Sequence, residues 1–562
     1  MSNSSITGVL KRTGLLADEQ IRAVLDAKTD TSIIRRVVEA GMAPEEKFLQ
    51  ALAGTLGLSY VRLNDLTVEK EILELLPAKV VFQHNAIPLS LEKEVLMVAV
   101  NDPFNSALTD VLRLVSGKRV RLALCPAGDI ARAINRFYGV GADTMERLMQ
   151  DNRIEVAPEE TMGKIDLNEL DQEASIVKFV NQIIWEAYKD RATDIHFEPM
   201  EDELRIRYRV DGVLHQTSMP PQLKRFQAAI VSRIKVMANV DIAEKRLPQD
   251  GRISLVVHGE ELDIRVSTMP TVYGESISLR LLTRGGGLVG LDRIGMSRRD
   301  EDMMRRLIQK PHGILLVTGP TGSGKSTTLY SCLHQINTID KRIITIEDPI
   351  EYEIAGVNQI NVRPEIGLSF ATGLRHILRQ DPDVIMVGEI RDFETAEIAI
   401  RASLTGHLVL STLHTNDSAG AITRLVDMGV EPFLVASSVE AIMAQRLVRV
   451  LCNACKRPWK IDHEFLRGVN FPVERLADRA VYEPTGCEKC RHSGFLGRQG
   501  IFEGLLISEA IRPMIIARDS ANAIKQAGLK QGMRTLRDDG WEKVLNGITT
   551  IEEVLRVAED DE

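Results

Sequence analysis

Residues 313–326, GILLVTGPTGSGKS, constrain this chain more than any other stretch. An apolar run of strand length leads into Gly319-Pro320-Thr321-Gly322-Ser323-Gly324-Lys325-Ser326, which matches GxxxxGK[ST] in full, and Thr327 continues into the helical pattern TLYSCLHQIN. Glycines let backbone N–H groups curl around an anion, and a helix N-terminus adds partial positive charge. Lys325 is spaced to reach the β- and γ-phosphates, and Ser326 to offer its hydroxyl to Mg²⁺. Strand, loop and helix agree, so the expectation is a nucleoside triphosphate site in a parallel α/β sheet.

Three more apolar runs end in polar residues. Residues 343–346 lead to Glu347 and Asp348, 384–387 to Gly388, Glu389, Arg391 and Asp392, and 408–411 to Thr412, His414 and Asp417. Parallel sheets bind ligands beyond the carboxyl ends of their strands. Hydrolysis needs a carboxylate near Mg²⁺ and a group that orients or deprotonates water. Glu347 and Glu389 are the candidates, and their spacing leaves open which is the base. Any one of these carboxylates could instead cap a helix.

Arginines form a second constellation. Arg375 and Arg379 are four apart in GLRHILRQDPD, on one face of a predicted helix. Arg209 belongs to the strictly alternating run Leu204–Val210, a half-buried strand whose open face carries three arginines. An arginine from outside the core could neutralise charge on a γ-phosphate. A solvated face or pairing with acidic neighbours would account for the same spacing.

Cys452-Asn-Ala-Cys455 and Cys487-Glu-Lys-Cys490 leave 31 residues between the pairs. Two CxxC knuckles suit tetrahedral Zn²⁺, with a small subdomain between them. An iron–sulfur cluster or four free thiols are the alternatives. His492 is a possible substitute ligand, but four thiolates already complete the shell. Residues 452–500 carry nine Lys/Arg against six Asp/Glu, which favours a structural role over a nucleic-acid finger. Cys125 and Cys332 are isolated and read as core thiols.

The 562 residues carry 70 Lys and Arg against 79 Asp and Glu, a net charge of −9, and aromatics are only 4%. That argues against a nucleic-acid translocase, which would need a basic channel with stacking residues. No apolar run reaches the roughly 20 residues that span a bilayer, and the start MSNSSITGVLKRTG has no export signal, so a cytoplasmic protein is expected. The expected divisions are an N-terminal α+β domain over 1–140, an acidic linker over 141–173 (or a surface helix followed by a loop), an arginine-bearing α+β domain over 174–288, and an α/β domain over 289–562 with the cysteine subdomain at 450–500. The glycines at 285–287 suggest the last joint.

Taken together, RATDIHFEP, RYRVDG, RLPQDGRI, GPTGSGKSTTLY, ITIEDPIEY, LRQDPDVIMVGEIRD, GHLVLSTLHTNDSAGAITRLVDMGVEPF, AQRLVRVLC and the CxxC pairs resemble the secretion ATPase superfamily, specifically the type II secretion system ATPase and the similar type IV pilus assembly ATPase. The wording SAGAITRLVDMGVEPFLVASS is closer to the secretion branch. The resemblance implies a RecA-like ATPase core with a zinc subdomain, a PAS-like α+β domain before it, and a homohexamer using ATP, Mg²⁺ and Zn²⁺. It implies work at the inner membrane through a membrane platform and cytoplasmic docking proteins, with no nucleic acid. By that resemblance Glu389 acts at Mg²⁺ and water and Glu347 lies in an acidic box. His407 and His414 fall in a histidine box that couples nucleotide state to domain movement. Arg209 is an inter-domain arginine, Arg225 a weaker candidate, and Arg375 with Arg379 the pair before the Walker-B-like strand. Some relatives bind cyclic di-GMP through a repeated RLG-type signature. Only the fragments GLLADEQ and LKRTG stand here, which leaves that ligand unsupported. The segments QALAGTLGLSYVRL and AVNDPFN resemble an adaptor that docks onto a membrane partner's cytoplasmic domain.

Overall fold

A computed structural model describes residues 3–26, 32–63, 66–139, 167–257, 260–283, 289–459, 463–476 and 479–558. Most of the stretch expected as a linker, and the glycines at 285–287, lie outside the described residues. The chain divides into two units, Met1–Thr283 and Arg284–Glu562.

The first unit contains two sheets. Four helices (Asn3–Arg12, Asp18–Asp26, Ile33–Glu39 and Glu45–Leu56) precede a four-stranded mixed sheet ordered β1-β4-β3-β2, with β1 Ser59–Tyr60, β2 Ala86–Glu92, β3 Val95–Val100 and β4 Arg119–Leu124. The run VLMVAV becomes β3, and a crossover helix, Ser106–Ser116, returns the chain to lay β4 parallel to it. Asn105 caps that helix by accepting from Leu108 N at 3.2 Å, and Gly117 ends it in the left-handed region at φ 65°.

A helix spanning Leu167–Lys189 opens the second half, starting inside the range read as linker. It buries Phe179, Val180, Ile183, Ile184 and Ala187 in the core of a six-stranded antiparallel sheet ordered β7-β6-β5-β10-β9-β8. These strands are β5 Ala192–Pro199, β6 Leu204–Val210, β7 Val213–Gln216, β8 Gln249–Val257, β9 Glu260–Thr271 and β10 Gly274–Thr283. The alternation in β6 is as the sequence reads: Leu204, Ile206 and Tyr208 are buried, while Arg205, Arg207 and Arg209 take the opposite face.

The second unit is a seven-stranded sheet ordered β13-β12-β14-β15-β11-β16-β19. Its strands are β11 Gly313–Thr318, β12 Ile343–Glu347, β13 Asn358–Asn361, β14 Val384–Val387, β15 Leu408–Leu413, β16 Val439–Leu451 and β19 Phe495–Leu506; the short hairpin β17 Arg457–Trp459 and β18 Val481–Glu483 stands apart. The first six are parallel and β19 is antiparallel to β16. Successive residues of β11 enter opposite cores: Ile314 and Leu316 pack into one, Leu315 and Val317 into the other. Helices therefore cover both faces, and the strand reads as a continuous apolar run rather than an alternating one. With β11 flanked by β15 and β16, its carboxyl end opens into the crevice where such sheets hold ligands.

Candidate nucleotide site and cysteine cluster

Beyond β11 the chain turns through Gly319–Gly324 into the helix Lys325–Ile336. Gly322 and Gly324 hold φ values of 80° and 90°, which residues with a Cβ rarely adopt. A side chain at Gly324 would also meet Gln445 Nε2 at 2.7 Å. Lys325 is 9% exposed, and its Nζ donates to Gly319 O at 2.8 Å and Pro320 O at 3.0 Å. These are neutral carbonyls, which a charged phosphate oxygen can displace with gain. Burial pulls the Lys325 pKa down to about 8, with Glu389 opposing and Arg446 adding to the fall. Ser323 Oγ is buried without a hydrogen-bond partner, beside the turn. A half-desolvated ammonium, an orphaned hydroxyl and a helix N-terminus are what a polyphosphate would satisfy together. Ser326 and Thr321 are exposed, and Thr327 is half-buried in the first helical turn.

Strand register brings the other polar ends to the same edge. Ile346 pairs with Val387, Val387 with Ser411, and Leu413 with Thr318, so Glu347, Glu389 and His414 all emerge at the same end of the sheet as the phosphate loop. The two glutamates differ in surroundings. Glu347 is 4% exposed, and its carboxylate accepts from Tyr330 Oη, from Thr345 Oγ1 at 2.6 Å and from Gln359 Nε2 at 3.1 Å. Burial and the neighbouring Glu347 charge push the Tyr330 phenol well above its usual range, and the same causes push Tyr352 up to about 12. Glu389 is held by Arg391 and by His414 Nε2 at 3.1 Å, both exposed side chains, and its charge acts on Lys325. Arg391 also lies 4.0 Å from Asp348. Two further acids at these strand ends are helix caps: Asp392 accepts from Thr395 N at 2.8 Å and Asp417 from Gly420 N at 2.8 Å.

The histidines separate. His414 follows β15 and faces Glu389, whereas His407 precedes β15, with its Nδ1 2.8 Å from Ala402 O. The six-residue strand between them puts them about 20 Å apart, at opposite ends of β15. Arg375 lies on the helix Phe370–Ile377 and pairs with Glu394, while Arg379 falls just past that helix and donates to Arg375 O at 3.1 Å. In the first unit, Glu198 holds Arg205 (2.8 Å) and Arg207, whereas Arg209 lies 3.8 Å from Asp194, which Arg280 engages at 2.9 Å. Arg225 is exposed at the end of a short 3₁₀ turn, Pro221–Phe226. Sequence reasoning assigned no role to Tyr330, Gln359, Gln445 or Arg446, although Tyr330, Gln445 and Arg446 stand within the quoted motifs. The adjacent Gln445 and Arg446 were a detectable signal, two polar residues interrupting the apolar run of β16.

Cys452, Cys455, Cys487 and Cys490 place their sulfurs within 4.8 Å of one another. The separations are 3.8 Å for Cys452–Cys487 and 3.7 Å for both Cys455–Cys490 and Cys487–Cys490. A tetrahedral Zn²⁺ with bonds of about 2.3 Å sets its sulfurs about 3.8 Å apart, so the donor set is compatible with that ion. Backbone N–H groups of Cys487 (3.1 Å) and Gly494 (3.3 Å) point at Cys490 Sγ, as they do where a thiolate is held. The hairpin β17–β18 lies in the segment between the knuckles, and that segment supplies Leu466, Phe471 and Val481 to a core shared with Trp541.

Comparison with known proteins adds the family. The model for "Type II/IV secretion system protein" matches residues 169–556, and that for the MshEN domain matches 56–144. The chain is 42% identical to type II secretion system protein E of Xanthomonas campestris pv. campestris, covering 99% of this chain and 98% of that one. It is 52% identical to type II secretion system protein E of Pseudomonas aeruginosa over 70% of this chain and 78% of that one. It is 41% identical to the type IV pilus assembly ATPase PilB of Myxococcus xanthus over 97% of both. With its phosphate loop, acidic strand ends and RecA-like sheet, the chain belongs to the type II/IV secretion system protein family and is a secretion ATPase of that class.

Proposed function

We propose that this chain is the ATPase of a type II secretion system, a cytoplasmic hexameric ring that drives pseudopilus assembly through an inner-membrane platform and cytoplasmic docking proteins. The observation that carries this is near-complete coverage by a type II secretion protein at 42% identity, joined to a full phosphate loop. Among the described residues no helix is long and apolar enough to cross a membrane, so attachment would run through protein contacts. The second reading, pilus assembly, has its own support in the equally complete match to PilB.

Within this reading Gly319–Thr327 hold ATP, and Ser326 with Glu389 hold Mg²⁺. The cysteine cluster carries a structural Zn²⁺. The surroundings of Glu389 favour it as the group at the reacting water, because its partners Arg391 and His414 are exposed side chains that can move aside, whereas Glu347 is buried among Tyr330, Thr345 and Gln359. Arg209 is the arginine this reading assigns to catalysis; it donates to Gly212 O at 3.0 Å and lies 3.8 Å from Asp194, and an anionic oxygen is a stronger acceptor than that carbonyl.

The test is Lys325→Ala on the chromosome together with purified Glu389→Gln and Glu347→Gln. Lys325→Ala should abolish exoprotein release while pilus-dependent motility persists; the reverse pattern would establish the pilus reading. Glu389→Gln should lose at least a hundredfold in kcat while still binding nucleotide. A larger loss in Glu347→Gln, with the fold intact, would exchange the two roles.

A further inference from the structure

Strand β16 is longer than its neighbour. Its register with β11 ends at Thr318 opposite Ala444, so Gln445 and Arg446 overhang the end of β11 and lie alongside the phosphate loop. Gln445 is buried, accepts from Thr328 Oγ1 at 2.7 Å, and packs its backbone against Gly319 and its amide against Gly324. Arg446, the next residue, projects to the other side of the strand. One of its guanidinium nitrogens is 3.1 Å from where a Cβ on Gly319 would stand. The guanidinium donates to Gln445 O at 3.2 Å, to Asn416 O at 3.0 Å and to Asn416 Oδ1 at 3.3 Å.

Asn416 belongs to the short segment between β15 and the helix Ser418–Asp427. That segment is tethered twice to the phosphate-loop side of the sheet. Thr415 N donates to Thr318 Oγ1 at 2.9 Å, and Arg446 holds Asn416. Two residues earlier, His414 Nε2 lies 3.1 Å from Glu389. Arg446 thus stands beside Gly319, where the phosphate loop begins, and holds the segment that sets His414 against Glu389.

We propose that Arg446 is a positioning residue of the ATPase site: by clamping Asn416 to the end of β16, beside the phosphate loop, it fixes the His414–Glu389 pair. The inference rests on the phosphate loop being the nucleotide site. The effect of its charge on Lys325, which opposes that of Glu389, is consistent with one electrostatic unit at this corner.

The experiment uses the full chain and follows two quantities, the affinity for a fluorescent ADP analogue and the kcat of ATP hydrolysis. Arg446→Gln should lower kcat at least tenfold and change affinity less than threefold, and Arg446→Lys should recover only part of kcat, because an ammonium has no second nitrogen to hold Gln445 O while the first holds Asn416. The double variant Arg446→Gln/His414→Ala should be no slower than the slower single variant, because both act on one pair. Losses that multiply, an affinity loss as large as the kcat loss, or unchanged kcat would each overturn the proposal. Melting temperatures and metal content separate these outcomes from misfolding. Lys325→Ala provides the independent check: if it binds the analogue as tightly as the parent, the nucleotide-site reading fails, whatever Arg446 does.

Discussion

Nucleotide affinity should fall steeply above pH 8, because the ammonium that grips the phosphates is already half-desolvated. Burial brings Lys325 from an ordinary 10.5 down to about 8, with Arg446 reinforcing and Glu389 resisting the shift. A phosphate needs the charged form. A lysine of pKa 8 is about three-quarters charged at pH 7.5 and about one-thirtieth charged at pH 9.5. The ratio is about 25-fold in dissociation constant, or about 2 kcal/mol. The sign reverses for the ligand-free protein. Between 8 and 10.5 the unfolded chain binds the extra proton, so this group's contribution to stability rises with pH there. The assay is titration of a fluorescent ADP analogue at constant ionic strength across this window, in which the diphosphate is already fully ionised. A plot of log Kd against pH should turn upward near 8 and approach unit slope. Lys325→Arg, whose guanidinium stays charged, should give a flat line wherever it binds. A flat line for the parent protein, or an equal rise in Lys325→Arg, would refute the argument that Lys325 titrates in the site.

Zinc analysis should find about one ion per chain, and Cys452→Ser or Cys487→Ser should lose it and lower the melting temperature by at least about 5 °C, since the segment tied off between the knuckles supplies Leu466, Phe471 and Val481 to the core around Trp541. An unchanged melting curve after loss of the metal would leave the cluster without a structural role. Glu503 is 1% exposed and accepts from Ser418 N (2.9 Å), Ser418 Oγ (2.5 Å) and Leu536 N (3.4 Å), serving the starts of two helices. Glu503→Ala should therefore cost about 2–4 kcal/mol in chemical denaturation. Burial raises the Glu503 pKa, against the pull of Ser418, so its folded form keeps a proton that the unfolded chain has already lost. Its contribution is complete below the ordinary carboxylate value and falls as pH rises through the raised one. Glu503→Gln should flatten that part of the stability curve, and a curve that keeps its slope would contradict the assignment.

Much of this was legible because the informative residues sit at fixed offsets from regular elements. The phosphate loop needs a buried strand before it and a helix after it, and apolar periodicity shows both. Each acidic strand end could likewise be recognised from an apolar run stopping at a carboxylate. The arginine face of β6 followed from strict alternation, and the cysteine knuckles from the tight turn that a CxxC must make. The start of the helix at Leu167 was obscured because LNELDQEAS is polar, and charge alone does not separate a solvated first turn from a linker.

What remained hidden depends on register between strands far apart in sequence. Glu347 and Glu389 look equivalent as acids ending neighbouring strands. Their difference comes from Tyr330 on the phosphate-loop helix and Gln359 on β13, which close over one carboxylate, while the other is half-buried and held by the exposed Arg391 and His414. The two histidines show the same point in reverse. They are seven residues apart in one motif, yet a strand lies between them, so a single chain cannot bring both to one phosphate. His407 lies where β15 begins, beside the amino end of β11, with Gly313 N donating to its carbonyl at 3.3 Å. Any part it takes in sensing nucleotide must be transmitted along β15 to His414, or be exercised on a different nucleotide from the one that His414 faces.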